Sequence, residues 1–163
     1  MRKVFMIILA AAGLTYFGLL PFHANDVSDL LPVETVIITR SGDEYRVDIG
    51  EGVRAIGRTV GQALDNLKEQ VTGTVFFQTA EQVIVQQGAE EAIEEVVTET
   101  RFRPAAGLYL TPETELDAQE VSAYLKTRRT ELTLGEANAM LVRHETVSLP
   151  TLICADGGYR ILA

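Results

Sequence analysis

The stretch from Val71 to Val97, "VTGTVFFQTAEQVIVQQGAEEAIEEVV", constrains the fold more than any other part of the chain. Two short apolar runs, "TVFF" and "QVIVQQ", are rich in β-branched and aromatic side chains, and a composition of that kind predicts buried strands. Before them, Thr59 and Gln62 make a capping-box pattern. Val60, Ala63, Leu64, Leu67 and Val71 then recur at helical spacing until Gly73 stops the helix. After them, Ala89, Ala92, Ile93, Val96 and Val97 fall on one side of a second helix. The intervening "QTAEQ" leaves a helix start at Thr79 open. Helices interleaved with strands predict a mixed α/β domain, its mixed sheet covered by helices.

The flanking sequence extends the same alternation. "VETVIITR" and "YRVDIG" around "SGDE" predict a hairpin with strands at about Val33–Arg40 and Tyr45–Ile49. "GEGVRAIG" reads as the loop leading out. "AAGLYLT" is a strand candidate. Asp117 with Glu120, and Thr133 with Glu136, start two further helices through capping-box patterns. "SLPTLICADGGYRILA" reads as strand, Asp-Gly-Gly turn, strand. The expected order is β-β-α-β-β-α-β-α-α-β-β.

The N-terminus obeys different rules. "MRKVFMIILAAAGLTYFGLLPFHAND" opens with Arg2 and Lys3 and stays apolar from Val4 to Leu20. A helix of that length spans about 26 Å, close to a bilayer's hydrocarbon core. Arg2 and Lys3 set the topology, holding the N-terminus in the cytoplasm and placing the rest of the chain beyond the apolar run outside the cell membrane. The run is long for a cleavable signal, and Phe22 stands where a small residue is wanted before a cut. The reading is therefore a single-pass anchor, with secretion after signal cleavage as the alternative. Residues 1–24 form the anchor or signal segment, 25–32 a linker, and 33–163 an extracytoplasmic domain.

Charge excludes one class of partner. All 23 acidic residues come after Ala24, where only 12 of the 14 Lys and Arg remain, leaving 12 − 23 = −11. Such a surface repels phosphate backbones, so nucleic-acid binding is not expected. The polar connection "KTRRTEL" holds a cluster of cations.

Catalytic constellations are sparse. There are two histidines, His23 and His144, and one cysteine, Cys154. Cys154 reads as a small buried apolar side chain. His144, with Glu145 and Ser148 nearby, offers the one candidate base for a cell-envelope hydrolase, but no strand-turn-helix elbow surrounds the serine. Metal ligation from residues so dispersed is not expected, and Glu90, Glu91, Glu94 and Glu95 read as a solvated helix face. Gly50, Gly52 and Gly57 fail the spacing of phosphate-binding loops. No cofactor is implied. The reading is a non-enzymatic binding or assembly domain, with a small-ligand sensor as a further alternative that would need a sizeable apolar pocket between sheet and helices.

In their order, "VETVIITRSGDEYRV", "TVGQALDNLKEQVTGTVFF", "QVIVQQGAEEAIEEVV" and "AAGLYLT" resemble the N-terminal domain of the Ger(x)C family, the membrane-attached C subunits of spore germinant receptors. The closing "LPTLICADGGYRILA" is similar to the hairpin that ends that domain. The resemblance spans roughly Val33–Ala163. It implies partners among the membrane proteins of a receptor-like assembly and a role in spore germination or sporulation. Family members are lipoproteins with a large second domain. Here no early lipobox cysteine exists, and the apolar run takes the place of a lipid; Arg101 and Arg103 stand near the family's arginine- and acid-containing segment without an assigned role.

Overall fold

The computed structural model describes residues 30–155 and 157–162. Arg2, Lys3 and the anchor expectation lie outside them. Nine strands are described: β1 (Leu30–Pro32), β2 (Thr35–Ser41), β3 (Glu44–Asp48), β4 (Arg54–Gly57), β5 (Thr74–Phe76), β6 (Gln82–Gln86), β7 (Gly107–Thr111), β8 (Thr151–Ala155) and β9 (Gly158–Leu162). The helices are α1 (Val60–Gln70), α2 (Ala92–Thr98), α3 (Ala118–Lys126) and α4 (Leu134–Val142). The chain is thus mixed α/β.

Seven strands form the main sheet in the order β4-β3-β2-β6-β7-β8-β9. The centre, β2-β6-β7-β8, is parallel, and antiparallel hairpins close both sides. Parallel strands covered on both faces need apolar side chains on both faces. This is why "VIIT", "VIV" and "LYL" read as continuous runs rather than as alternation. Register sorts them into two rows. Val36, Val83 and Leu108 stand side by side and pack under α1, α2 and α4; Ile37, Ile84 and Tyr109 stand side by side and pack under α3 with Val121 and Leu125.

The helix starts obey local chemistry. Thr133 and Glu136 form a full capping box at α4. Thr59 Oγ1 accepts from Gln62 N, while the Gln62 side chain reaches one residue further back, to Arg58 N at 2.9 Å. Asp117 accepts from Gln119 N and Glu120 N. The start of α1 also draws on a distant residue: Glu95 Oε1 accepts from Gly61 N at 2.7 Å, placing a carboxylate at the positive end of the helix.

Four expectations are corrected. "GEGVRAIG" contains β4, whose inward residues are Ala55 and Gly57, so no β-branched run announces it. Leu30–Pro32, read as linker, pairs in parallel with Thr74–Phe76 in a separate two-stranded sheet. "TVFF" therefore lies outside the main sheet; Val75 and Phe77 are buried, Phe76 is exposed, and Phe77–Thr79 is a 3-10 turn rather than a helix start. Finally, Cys154 is exposed. It shares the sheet face of the fully buried Leu152 but stands two residues further along β8, and its thiol is raised from the ordinary value by partial burial and by the Glu113 and Glu120 carboxylates.

Candidate functional site

Every acid, base and cation in "RHETVS" is exposed. His144 comes after α4 with φ +57°, its N–H donating to the Leu141 carbonyl and that of Glu145 to the Met140 carbonyl. That pair of bonds is a helix-terminating motif usually completed by glycine. Glu145 turns to Arg143 at 3.0 Å. Among the described residues no hydrogen bond or ion pair joins the His144 side chain to Glu145 or Ser148.

Three of the four glutamates of the α2 region are spent on separate tasks. Glu90 accepts from Gly88 N, Glu91 pairs with Arg40 at 2.7 Å, and Glu95 caps α1. No metal-binding group of three is found among the described residues.

Arg101 and Arg103 acquire structural roles. Arg101 is clamped by Glu99 through Nε at 2.9 Å and Nη2 at 2.8 Å, and reaches Asp65 at 2.6 Å and the Gly61 carbonyl at 3.3 Å. It therefore ties α1 to the connection after α2. Burial pushes the Glu99 carboxyl up, but the Arg101 hydrogen bonds outweigh it and hold Glu99 below its ordinary 4.5. Arg103 stands 3.7 Å from Glu81, with its Nε buried and unpartnered.

One concave site lies where β1 and β2 meet α3. It is a cleft of about 250 Å³, with Leu31, Ile49, Val53 and Ala118 among its apolar walls and Glu51 and Gln119 among its polar ones. At its side, hydrogen bonds join residues 88 apart: Ser122 Oγ donates to Glu34 Oε2 at 2.9 Å, while Lys126 Nζ sits 2.7 Å from Glu34 Oε1. Lys126 and Ser122 together hold the Glu34 carboxyl below its ordinary value. Both its oxygens are engaged. Behind it, Thr35 Oγ1 donates to the buried Gln82 Oε1 at 3.2 Å.

The opposite lip is the β3–β4 turn, where Gly50, Glu51 and Gly52 take φ values of +89°, +53° and +76°. Glycine adopts these at little cost; Glu51 does not, and strain of this sort is kept only where the surroundings enforce it. Gly50 N donates to Asp48 Oδ1 at 2.8 Å, Val53 N closes the turn on the Gly50 carbonyl, and Glu51 reaches Gln119 of α3 at 3.4 Å. The result is an open cleft with apolar walls and acceptors at its mouth. Its volume falls below the ~300–1,000 Å³ of small-molecule pockets, so it suits a few side chains of a partner better than an enclosed ligand.

Sequence reasoning missed this cleft. Glu34, Ser122 and Lys126 carry no local motif, and their meeting depends on α3 crossing β2. Only the glycine pair around Glu51 was visible, as an unexplained loop. No protein-family model matches the chain, and neither a curated protein nor a solved structure matches it.

Proposed function

We propose that the chain is a non-enzymatic binding or assembly domain, tethered by its N-terminal apolar segment to the outer face of a bacterial cell membrane. Its partners are other membrane proteins of a receptor-like assembly acting in spore germination or sporulation. The order of patterned segments shared with germinant-receptor C subunits supports that setting, as does the apolar run behind Arg2 and Lys3.

One observation carries the reading: Leu31 and Pro32, which come directly after the tether, line the cleft. From Pro21 to Asp29 the chain reaches at most about 30 Å, so the anchor keeps the cleft near the bilayer. A partner anchored in the same membrane meets that cleft at a high effective concentration, and modest contacts then suffice for association. No helix among the described residues is long and apolar enough to span a membrane.

The test is site-specific photo-cross-linking in intact cells. A photoreactive residue at Gln119, beside the cleft, is expected to capture other integral membrane proteins. The same residue at Asp43, in the turn at the far end of β2, is expected to capture few. Recovery of the uncross-linked protein alone from Gln119 contradicts the proposal.

A further inference from the structure

The connection between α3 and α4 concentrates cations on an acidic protein. Its residues Arg128, Arg129 and Thr130 are exposed, yet the segment is firmly held. Leu108 N donates to the Leu132 carbonyl at 2.9 Å, and Gly107 and Thr133 form an antiparallel bridge. The connection runs along the edge of β7 that β8 leaves uncovered, since β8 meets β7 only at Leu110 and Thr151.

Between this connection and β9 lies an open groove of about 860 Å³, lined by Tyr124, Arg128, Arg129, Glu136, Tyr159 and Arg160 among others. Arg128 and Arg129 bring two positive charges beside two carboxylates, Glu131 and Glu136, in a chain that carries −11 beyond Ala24. Glu136 is occupied at the start of α4, accepting from Thr133 N at 2.9 Å and Thr133 Oγ1 at 2.8 Å. Arg128 lies 5.1 Å from the centre of the Tyr124 ring, and the Tyr124 and Tyr159 rings are 5.8 Å apart.

Arg40, Lys68, Arg101, Arg103, Lys126 and Arg143 pair with carboxylates, while Arg46, Arg54 and Arg58 stand in no salt bridge among the described residues. Arg128 and Arg129 make no salt bridge among the described residues. Adjacent cations held on one wall repel each other, and an incoming anion removes that repulsion while accepting forked hydrogen bonds. We propose that this groove binds a ligand bearing oxyanions, phosphate or carboxylate, with Arg128 and Arg129 as donors and the tilted Tyr124–Tyr159 pair as an aromatic wall. The assignment goes beyond the tether and does not depend on it.

Calorimetric titration of the full chain in neutral detergent, at about 20 mM salt to limit screening, tests it with two probes, pyrophosphate and citrate. Saturable binding of either is expected, weakened about tenfold or more in Arg128→Gln/Arg129→Gln, the loss of charge-assisted bonds being worth at least that factor. Glu131→Gln, which removes the unengaged carboxylate, is expected to tighten binding. Pyrophosphate alone binding assigns a phosphate ligand; both binding assigns oxyanions generally. Both substituted arginines are exposed, and an unchanged circular dichroism spectrum confirms that the double variant is folded. The proposal is overturned if neither probe saturates, or if the double variant binds as the wild type does.

Discussion

Gly57 is the point where β4 and α1 touch backbone to backbone, and adding one methyl group there measures how closely the layers fit. A Cβ on Gly57 would stand 2.4 Å from the Ala63 nitrogen and 2.9 Å from both the Ala63 Cα and the Gln62 carbonyl carbon. Ordinary contact begins near 3.4 Å, so strand and helix must separate by 3.4 − 2.4 = 1.0 Å. All three atoms are backbone, and no rotamer change relieves the clash. The shift loosens Val60, Ala63, Leu64 and Leu67, each fully buried, and a gap of that size forfeits a quarter to a half of a contact's attraction. Overpacking costs about 1–3 kcal/mol, against a gain of about 0.4–1 kcal/mol from restricting the unfolded chain. The expected net for Gly57→Ala is a loss of about 1 kcal/mol, a fall in urea midpoint of about 0.5 M at an ordinary m-value. Gly158 is the control, because a Cβ there meets nothing within 4 Å. Gly158→Ala is expected to stabilise slightly, as alanine generally does in a strand. Urea unfolding of the full chain in detergent, monitored by circular dichroism, gives both midpoints. A Gly57→Ala midpoint equal to or above the wild type refutes the packing argument.

Arg101→Gln leaves Glu99 half-paired in a site where its side chain is 12% exposed, and the expected cost at neutral pH is about 2 kcal/mol, below the ~3–5 kcal/mol of a fully buried pair. Because the Glu99 carboxyl is held below 4.5 in the folded protein, its stabilising contribution is complete above about pH 4.5 and fades as pH falls through the folded value. The gap between wild type and variant in urea titrations should therefore narrow under acid conditions; a gap independent of pH contradicts the assignment. Thr133→Ala removes the α4 capping box and should cost about 1 kcal/mol by the same assay. His144→Gly relieves a left-handed histidine and should raise stability by up to about 1 kcal/mol, without touching the cleft beside α3 or the arginine-lined groove.

What was legible in the sequence, and what was not, separates along physical lines. Helices with a side-chain cap and a continuous apolar stripe, such as α1 beginning at Thr59, announce themselves within a dozen residues. The same holds for β2, β6 and β7, where burial on both faces forces unbroken apolar runs. β4 stayed hidden because its inward side chains are Ala55 and the missing one of Gly57, a composition chosen by the approach of α1 rather than by strand propensity. Cys154 was misplaced for a related reason. Alternation puts it on the same face as Leu152, but whether a helix covers that stretch of the face is a tertiary matter. The cleft is the extreme case: the Glu34–Ser122 hydrogen bond closes over 88 residues, and nothing local distinguishes those side chains from solvated neighbours.

The exposure of Cys154 supplies a built-in test of the central claim, that the folded body stands on the outer side of the membrane. It is the chain's single thiol and needs no engineering. Its raised pKa slows reaction at neutral pH, so labelling is run at mildly alkaline pH, where more thiolate is present. Intact protoplasts treated with a membrane-impermeant maleimide should yield the labelled protein in the membrane fraction, to the same extent as lysed cells. Labelling that appears only after lysis, or a labelled protein recovered in the cytosol, contradicts the account.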